Sequence, residues 1–497
     1  MSGQQENISS GLLAKEKIEN AEEEKVDTQK LEEINDGDDF KGYTQDIKIK
    51  LIALFFGLGI INHLGTILVM TGGRLLAKEL NMEDYLTIYT SASILFALIT
   101  RIINAKLFVK LSYKKRIYFL CFWMMAGYFL MFLVLLFHDV DDKGSSEHKE
   151  LYFVLSFIPC FFLGSSYAFG ESAIISYLRL YPRTLIGGWS SGTGVSGIIG
   201  GLLNFLSQLD DDFSLKYLYL ILTPIGILYV FLFELTVKIY IAHENNNSNN
   251  ITPNMELSPV VRDTIEDNEN NEMRGTEKKL QEPKSLNIND PVESEKENED
   301  KEMDDMNKGN KAISLDNFRN VMKNCGEVII NLGLIYLFQF FCLSGLVKRD
   351  CDKVHIGFLS KDKDKKTKGK YEFISLFFQL GMFTSKTFIR IVRRIQPIEV
   401  FTVVIVVINI IFLIEYYAGF LKWGNYTWLC FILGFFGGGT YAGGFYTILN
   451  SDKVPENLKE LTVNVATGFN DRGTFLSKIF GLIGLKYWFD DDEEFQN

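Results

Sequence analysis

Cysteine, histidine and proline are scarce in this chain, at six, five and nine residues out of 497. The six cysteines follow neither a metal-ligand spacing nor the paired pattern of a disulfide framework. No Ser-His-Asp arrangement is readable. The glycines at 192 to 201 follow no strand and lead into no GxxxxGK, so they are not a phosphate loop. An enzyme, a metal centre and a bound cofactor are therefore not expected. The net charge of −11 describes the tails and linker rather than a uniform surface, and no nucleic-acid partner is expected. Residues 1–47 are polar and acidic, with no apolar core ahead of a small-residue cleavage site, and no cleavable signal is expected.

Apolar and aromatic residues are abundant. Hydrophobic residues make up 47% of the chain, with 41 Phe and 22 Tyr. Mean hydropathy is only slightly positive because charged segments dilute long apolar runs. Crossing the hydrocarbon of a bilayer takes about 20 residues, and runs of that kind lie at 51–71, 86–109, 117–137, 151–178, 185–207, 217–242, 326–347, 371–392, 398–421, 426–449 and 461–485. Two of them carry polar interruptions. Arg101, Asn104 and Lys106 break the second; Asn464, Asn470, Asp471, Arg472 and Lys478 break the eleventh. The expected fold is an all-α polytopic membrane protein of about eleven transmembrane helices.

Lys and Arg in short loops set the expected orientation. With a cytosolic amino terminus, Lys110, Lys114, Lys115 and Arg116, then Arg179 and Arg183, then Arg390, Arg393 and Arg394 all face the cytosol. The acidic loops Asp139–Glu150 and Asp210–Asp212 fall on the other side. The Lys-Asp segment at 348–370 is the exception, and its charge is mixed. From about His243 to Met322 the chain is rich in Asn, Glu, Asp and Lys and poor in aromatics, a composition expected to stay disordered. The expected organisation is a disordered cytosolic tail (1–47), a six-helix half (48–242), a disordered cytosolic linker (243–325), a five-helix half (326–489) and an acidic tail (490–497). Such a layout suggests a two-half transporter with its substrate site at the midplane between the halves.

One apolar run is loaded with small residues: Trp189, Ser190, Ser191, Gly192, Thr193, Gly194, then Gly197 and Gly201. Glycine costs about 1 kcal/mol against alanine in a soluble helix, whereas between membrane helices it lets backbones touch. Gly192, Ser196 and Gly200 recur every four residues and Gly197 and Gly201 flank them, so two small faces are expected to meet different helices.

Ionisable groups at membrane depth are costly and are usually set against a cavity. Glu171 shares a helical face with Gly164 and Ala168 at i, i+4 and i+7. It reads either as a proton or cation site or as a carboxylate hydrogen-bonded for packing. Asp471 shares its face with Asn464 and Thr467, and Arg472 points elsewhere. Lys386 reads as an anion anchor or a snorkelling cation. His63, beside Asn62, reads as a titrating group or, preferably, as a satisfied structural histidine.

The run from Tyr181 to Gly194, together with Gly164-Ser165-Ser166 and Gly170-Glu171, closely resembles the battenin family of lysosomal membrane proteins. The carboxyl half resembles it too, at Gln379, Gly381, Phe383, Ser385 and Arg390, at Gly434, Gly437, Gly438 and Tyr441, and at Asp471. The resemblance implies a major-facilitator-like two-half bundle and residence in a lysosome-like or vacuolar membrane. It also implies roles in organelle pH, basic amino-acid balance and export of glycerophosphodiesters. This chain departs from the family pattern at Gln339, where the family typically has Glu, and at Lys386, where it has Arg. Phe495-Gln496-Asn497 is no prenylation box, and Leu12-Leu13 lacks the acidic residue of a dileucine signal.

The expected function is secondary transport of a small charged metabolite across the lipid bilayer, with protons as a candidate coupling ion and Glu171, Asp471, Lys386, Gln339 and His63 as candidate substrate or proton sites. The alternatives are a non-transporting scaffold that recruits trafficking partners through its linker, and an equilibrative nucleoside-type carrier, against which the run at 181–194 argues.

Overall fold

The computed structural model describes residues 43–73, 76, 80, 86–106, 111–142, 149–209, 215–248, 315–347, 370–394 and 399–487. The expectations for the amino-terminal tail, most of the linker, the 348–370 loop and the acidic end lie outside these residues. Every described element is helical. In chain order these are α1 (Gln45–Thr71), α2 (Leu86–Lys106), α3 (Tyr113–Asp142), α4 (Lys149–Leu178), α5 (Ile186–Leu209), α6 (Leu215–Leu222) and α7 (Ile225–Ser248), then α8 (Leu315–Phe341), α9 (Lys370–Thr387), α10 (Ile389–Arg394), α11 (Glu399–Ala418), α12 (Trp423–Asn450) and α13 (Glu456–Tyr487). A π-helical turn, Cys342–Val347, extends α8.

Each of the eleven expected spans coincides with one of these helices or a consecutive pair. At 27 residues, α1 is about 40 Å long, enough to cross the bilayer with turns to spare. The sixth span is split into α6 and α7 at Thr223 and Pro224, because proline has no N–H to donate and crowds the preceding turn. The corner between α4 and α5 is pinned by tyrosines. Leu180 and Tyr181 donate their N–H groups to the carbonyls of Tyr177 and Leu178, closing the helix, and the Tyr181 hydroxyl donates to the Thr236 carbonyl of α7 at 3.0 Å. Tyr181-Pro182-Arg183 is thus a pinned corner between two spans.

The packing repeats after six spans. In the amino half α1 packs on α5, α2 on α4 and α3 on α4; in the carboxyl half α8 packs on α13, α9 on α12 and α11 on α12. Glycine makes these close pairs possible. A Cβ at Gly192 would strike the Phe56 carbonyl of α1, at Gly164 the Ser93 carbonyl of α2, at Gly434 the Phe378 carbonyl of α9, and at Gly473 the Gly333 carbonyl of α8. The symmetry fails at one place. α6 and α7 pack on α1 and α3, whereas among the described residues the carboxyl half has no such helix, and α11 and the π-helical turn pack against α8 instead.

The halves meet along two seams, α5 with α9 and α2 with α13. Of these four, α5, α9 and α13 are the spans poorest in apolar residues, and α2 carries Arg101 and Asn104 within an otherwise apolar run. The seven other spans are each apolar and long enough to cross a membrane. A helix shielded from lipid on both sides is free to carry polar groups, since partners rather than hydrocarbon surround them.

Candidate functional site

The centre of the bundle is organised by Arg101 of α2, which is 3% exposed. Its Nη1 donates to Ser172 Oγ at 2.9 Å and to the Ala168 carbonyl at 3.1 Å, and its Nη2 bonds Glu171, all on α4. Its Nε bonds Asp471 of α13, in the other half. One guanidinium therefore holds two buried carboxylates, which the planar fork of arginine suits. The face of Gly164, Ala168 and Glu171 is the face turned to α2: the glycine lets Ser93 approach, and one turn further on Arg101 takes the backbone and side chains.

Glu171, 1% exposed, has further partners. Tyr441 of α12 donates its hydroxyl to Glu171 Oε1 at 2.6 Å, and His63 Nε2 of α1 lies 3.6 Å from the same oxygen. His63 packs edge-on to Tyr167 and Trp189, with ring centroids 4.9 and 5.8 Å away. Its Nδ1 is buried without a hydrogen-bond partner. His63 thus adjoins the charged cluster through Nε2, and both the titrating and the structural reading of it stand. Tyr167 completes the surroundings of Asp471, its hydroxyl 3.5 Å from Oδ1 and its ring 5.5 Å from the Arg101 Cζ.

Lys386 of α9 approaches from the other side. Its Nζ donates to Thr193 Oγ1 of α5 at 2.8 Å and sits 4.4 Å from the centre of the Tyr441 ring. It is buried rather than snorkelling to a surface. Formal charge balances within the cluster, with Arg101 and Lys386 against Glu171 and Asp471. Both carboxylates are bonded to Arg101, and no carboxylate hydrogen-bonds to Lys386 among the described residues.

A cavity of about 90 Å³ adjoins the cluster and reaches from His63, Asp471 and Lys386 at mid-depth to Met70, Leu343 and Tyr371. Those three residues lie where α1 ends, after α8 ends and where α9 begins, so the cavity runs toward the face opposite the start of α1. On the near face the seam between α2 and α13 is closed. Asn104 Nδ2 donates to Asn464 Oδ1 at 3.1 Å, and beside the seam Arg116 of α3 donates from Nη1 to Glu460 Oε1 of α13 at 2.6 Å.

The small-residue run of α5 supplies two contact faces. Toward α1, a Cβ at Gly188 would lie 3.0 Å from the Ile52 carbonyl, and one at Gly200 would lie 2.5 Å from Ile67 Cγ2. Toward α9, a Cβ at Gly194 would lie 2.7 Å from Phe383 Cα, at Gly197 it would strike the Gln379 amide, and at Gly201 it would meet Leu376 Cδ1 at an ordinary 3.7 Å. Trp189 is fully buried beside His63. Ser191 donates to the Gly187 carbonyl at 2.7 Å, and the Ser190 hydroxyl is buried without a partner.

Gln339 stands apart from the other candidates. It is fully buried on α8 against Gly437 of α12, with neither amide atom hydrogen-bonded, and it does not line the cavity. Arg472 is exposed and lies over the Phe469 ring, 5.3 Å from its centre, as its position beside Asp471 predicts. Sequence reasoning missed Arg101 and Tyr441 as site residues. Arg101 registers there only as an interruption of a span, although an arginine at that depth is itself a functional signal.

A family model described as CLN3 protein matches residues 53–488. The chain belongs to the CLN3 protein family. Battenin of Dictyostelium discoideum is 25% identical over 441 residues, which cover 86% of this chain and 92% of that protein. Among solved structures, a bacterial homologue of the iron transporter ferroportin in an outward-facing state is similar with a TM-score of 0.51 and 12% identity, covering 88% of this chain and 92% of its own. A further structure of such a homologue, soaked with iron, gives a TM-score of 0.51 and 9% identity over 88% and 91% of the two chains. At these identities the likeness speaks for the fold. This CLN3-family chain is a multi-pass membrane protein with a two-half helical bundle like that of those structures.

Proposed function

We propose that this protein is a secondary transporter of a lysosome-like or vacuolar membrane that exports a small charged metabolite by rocking its two halves about the central cavity. The amino terminus and the linker after α7 are cytosolic in this reading, because the Lys- and Arg-bearing short loops share their face. The described cavity then opens toward the organelle lumen. What supports transport most is that one buried charged cluster, adjoining a cavity, draws on both halves: His63, Arg101, Glu171 and Thr193 from one, Lys386, Tyr441 and Asp471 from the other.

The same cluster favours an anionic substrate group. Arg101 already bonds both carboxylates, so neither is left to receive the cation of arginine or lysine without breaking a buried ion pair. Lys386 lines the cavity with only a hydroxyl and an aromatic ring as described partners. A phosphodiester carries one negative charge and accepts hydrogen bonds from an ammonium group. Glycerophosphodiesters are accordingly preferred to basic amino acids, with protons as the coupling ion.

Reconstituted vesicles decide the matter. Purified protein should carry a glycerophosphodiester with saturable kinetics and leave arginine behind, and K386Q should lose that flux while remaining folded. Saturable arginine flux that survives K386Q would reject the substrate assignment; the absence of any saturable flux would reject transport.

A further inference from the structure

The two carboxylates on Arg101 differ in one respect: Glu171 belongs to the same half as Arg101, and Asp471 belongs to the other. Arg101 on α2 and Glu171 on α4 ride in one packed unit, since α2 packs along α4 and Gly164 seats the Ser93 carbonyl. Asp471 rides on α13, which packs along α8. If the halves separate along the seam of α2 and α13, only one of the two ion pairs is stretched. Arg101–Glu171 survives the motion and Arg101–Asp471 does not.

We infer that Arg101–Asp471 is a breakable clasp between the halves and that Glu171 is the positioning residue that makes the clasp reversible. This rests on the rocking motion of the transport reading, though not on any substrate. Breaking a buried ion pair is costly chiefly because it leaves one charge without a partner. Here the guanidinium keeps a partner on either side of the break, namely Glu171, with Ser172 Oγ and the Ala168 carbonyl holding Nη1 in place. The released Asp471 lines the cavity, where water solvates it, and the Tyr167 hydroxyl lies beside it. On the near-face side of the clasp the uncharged pair Asn104–Asn464 and the ion pair Arg116–Glu460 also cross between the halves, so the clasp is the deeper of two charged bonds that opening must break.

The two carboxylates are thus assigned opposite effects on the same equilibrium. Asp471→Asn removes the bond across the seam and leaves Arg101 neutralised within its own half. The closed near face should loosen. Glu171→Gln removes the partner that stays behind and leaves Tyr441 of the other half a neutral amide to donate to; opening would then strand the buried Arg101 charge, which costs more than the weakened Tyr441 bond gives back. The near face should tighten. A purely structural role for the cluster would give the same sign for both, since each substitution deletes one charge and one bonded oxygen.

The test is the labelling rate of a single cysteine placed at Asn464, which is buried in the seam, in a chain whose six native cysteines have been replaced. The reagent is a water-soluble maleimide applied to purified protein without substrate, so that the rate tracks the fraction of molecules open on the near face. Asp471→Asn should raise the rate and Glu171→Gln should lower it, each by about tenfold. Rates that move in the same direction, or that do not move, overturn the clasp. Should one variant fail to accumulate, the other still decides, because each carries its own expected direction. A chain that shows both shifts yet carries no metabolite in vesicles would reject transport and keep the clasp.

Discussion

Lys386 on α9 and Thr193 on α5 are joined by a 2.8 Å hydrogen bond across the boundary between the two halves. The threonine hydroxyl also donates to the Ser190 carbonyl one turn back, at 2.8 Å, which fixes its rotamer and leaves a lone pair aimed at the ammonium group. α5 therefore sets where the cavity's cation stands, and the small residues around Thr193 let α9 come close enough to be held.

Thr193→Val keeps the shape of that side chain and removes the acceptor. A hydrogen bond to a charged group is worth about 1.5–3 kcal/mol. Substrate KM in vesicle flux should rise by roughly tenfold, with turnover much less affected. Thr193→Ser should restore the wild-type value.

Tyr441 contributes its hydroxyl to Glu171 and its ring to Lys386. Tyr441→Phe separates the two contributions. Turnover should fall by about tenfold, because a charge-assisted bond to Glu171 is lost, while substrate affinity should change little. Tyr441→Leu should weaken both. Equal effects of Phe and Leu on affinity would assign the ring no part in holding Lys386.

Glycines of α5 should respond to alanine according to what faces them. Gly192→Ala drives a methyl into the Phe56 carbonyl and should lower thermal stability by about 1–3 kcal/mol. Gly201→Ala meets Leu376 at 3.7 Å and should be neutral or stabilising by up to about 1 kcal/mol through helix propensity. Thermal unfolding in detergent, followed by tryptophan fluorescence, ranks the two; equal losses would contradict the packing described for α5.

At Gln339 both amide atoms are buried without partners. An unpaired buried polar group costs about 1–3 kcal/mol, and leucine fills nearly the same volume. Gln339→Leu should unfold at a temperature no lower than the wild type. A clear drop would mean that the amide is bonded in the membrane.

The spans, the two-half layout and the family were legible in the sequence because they rest on local signals: the length of apolar runs, the spacing of glycines on α5 and the order of residues from Tyr181 to Gly194. Glu171 was legible for the same reason, since its face of small residues lies within eight positions. The partners were not. Arg101 and Asp471 are 370 positions apart, and Tyr441 and Glu171 are 270 apart. Such pairings depend on how one half docks on the other, which no local pattern encodes. The polar interruptions of the second and eleventh spans read as weaknesses when each helix is taken alone. Set side by side, Arg101 with Asp471 and Asn104 with Asn464 answer each other, and the two least convincing spans become one seam.

The separation of Arg101 from its two partners also orders events during synthesis. Glu171 lies 70 positions downstream and Asp471 lies 370. At ribosomal rates of about 5–20 residues per second, Glu171 follows Arg101 out within some 4–14 seconds and Asp471 only after about 20–70 seconds. During that interval the arginine would be an unaccompanied charge in the bilayer but for Glu171, which arrives with the helix that packs beside α2. The amino half thus neutralises its own most hazardous residue before the carboxyl half exists, and the last span to be made docks onto a site already waiting for it.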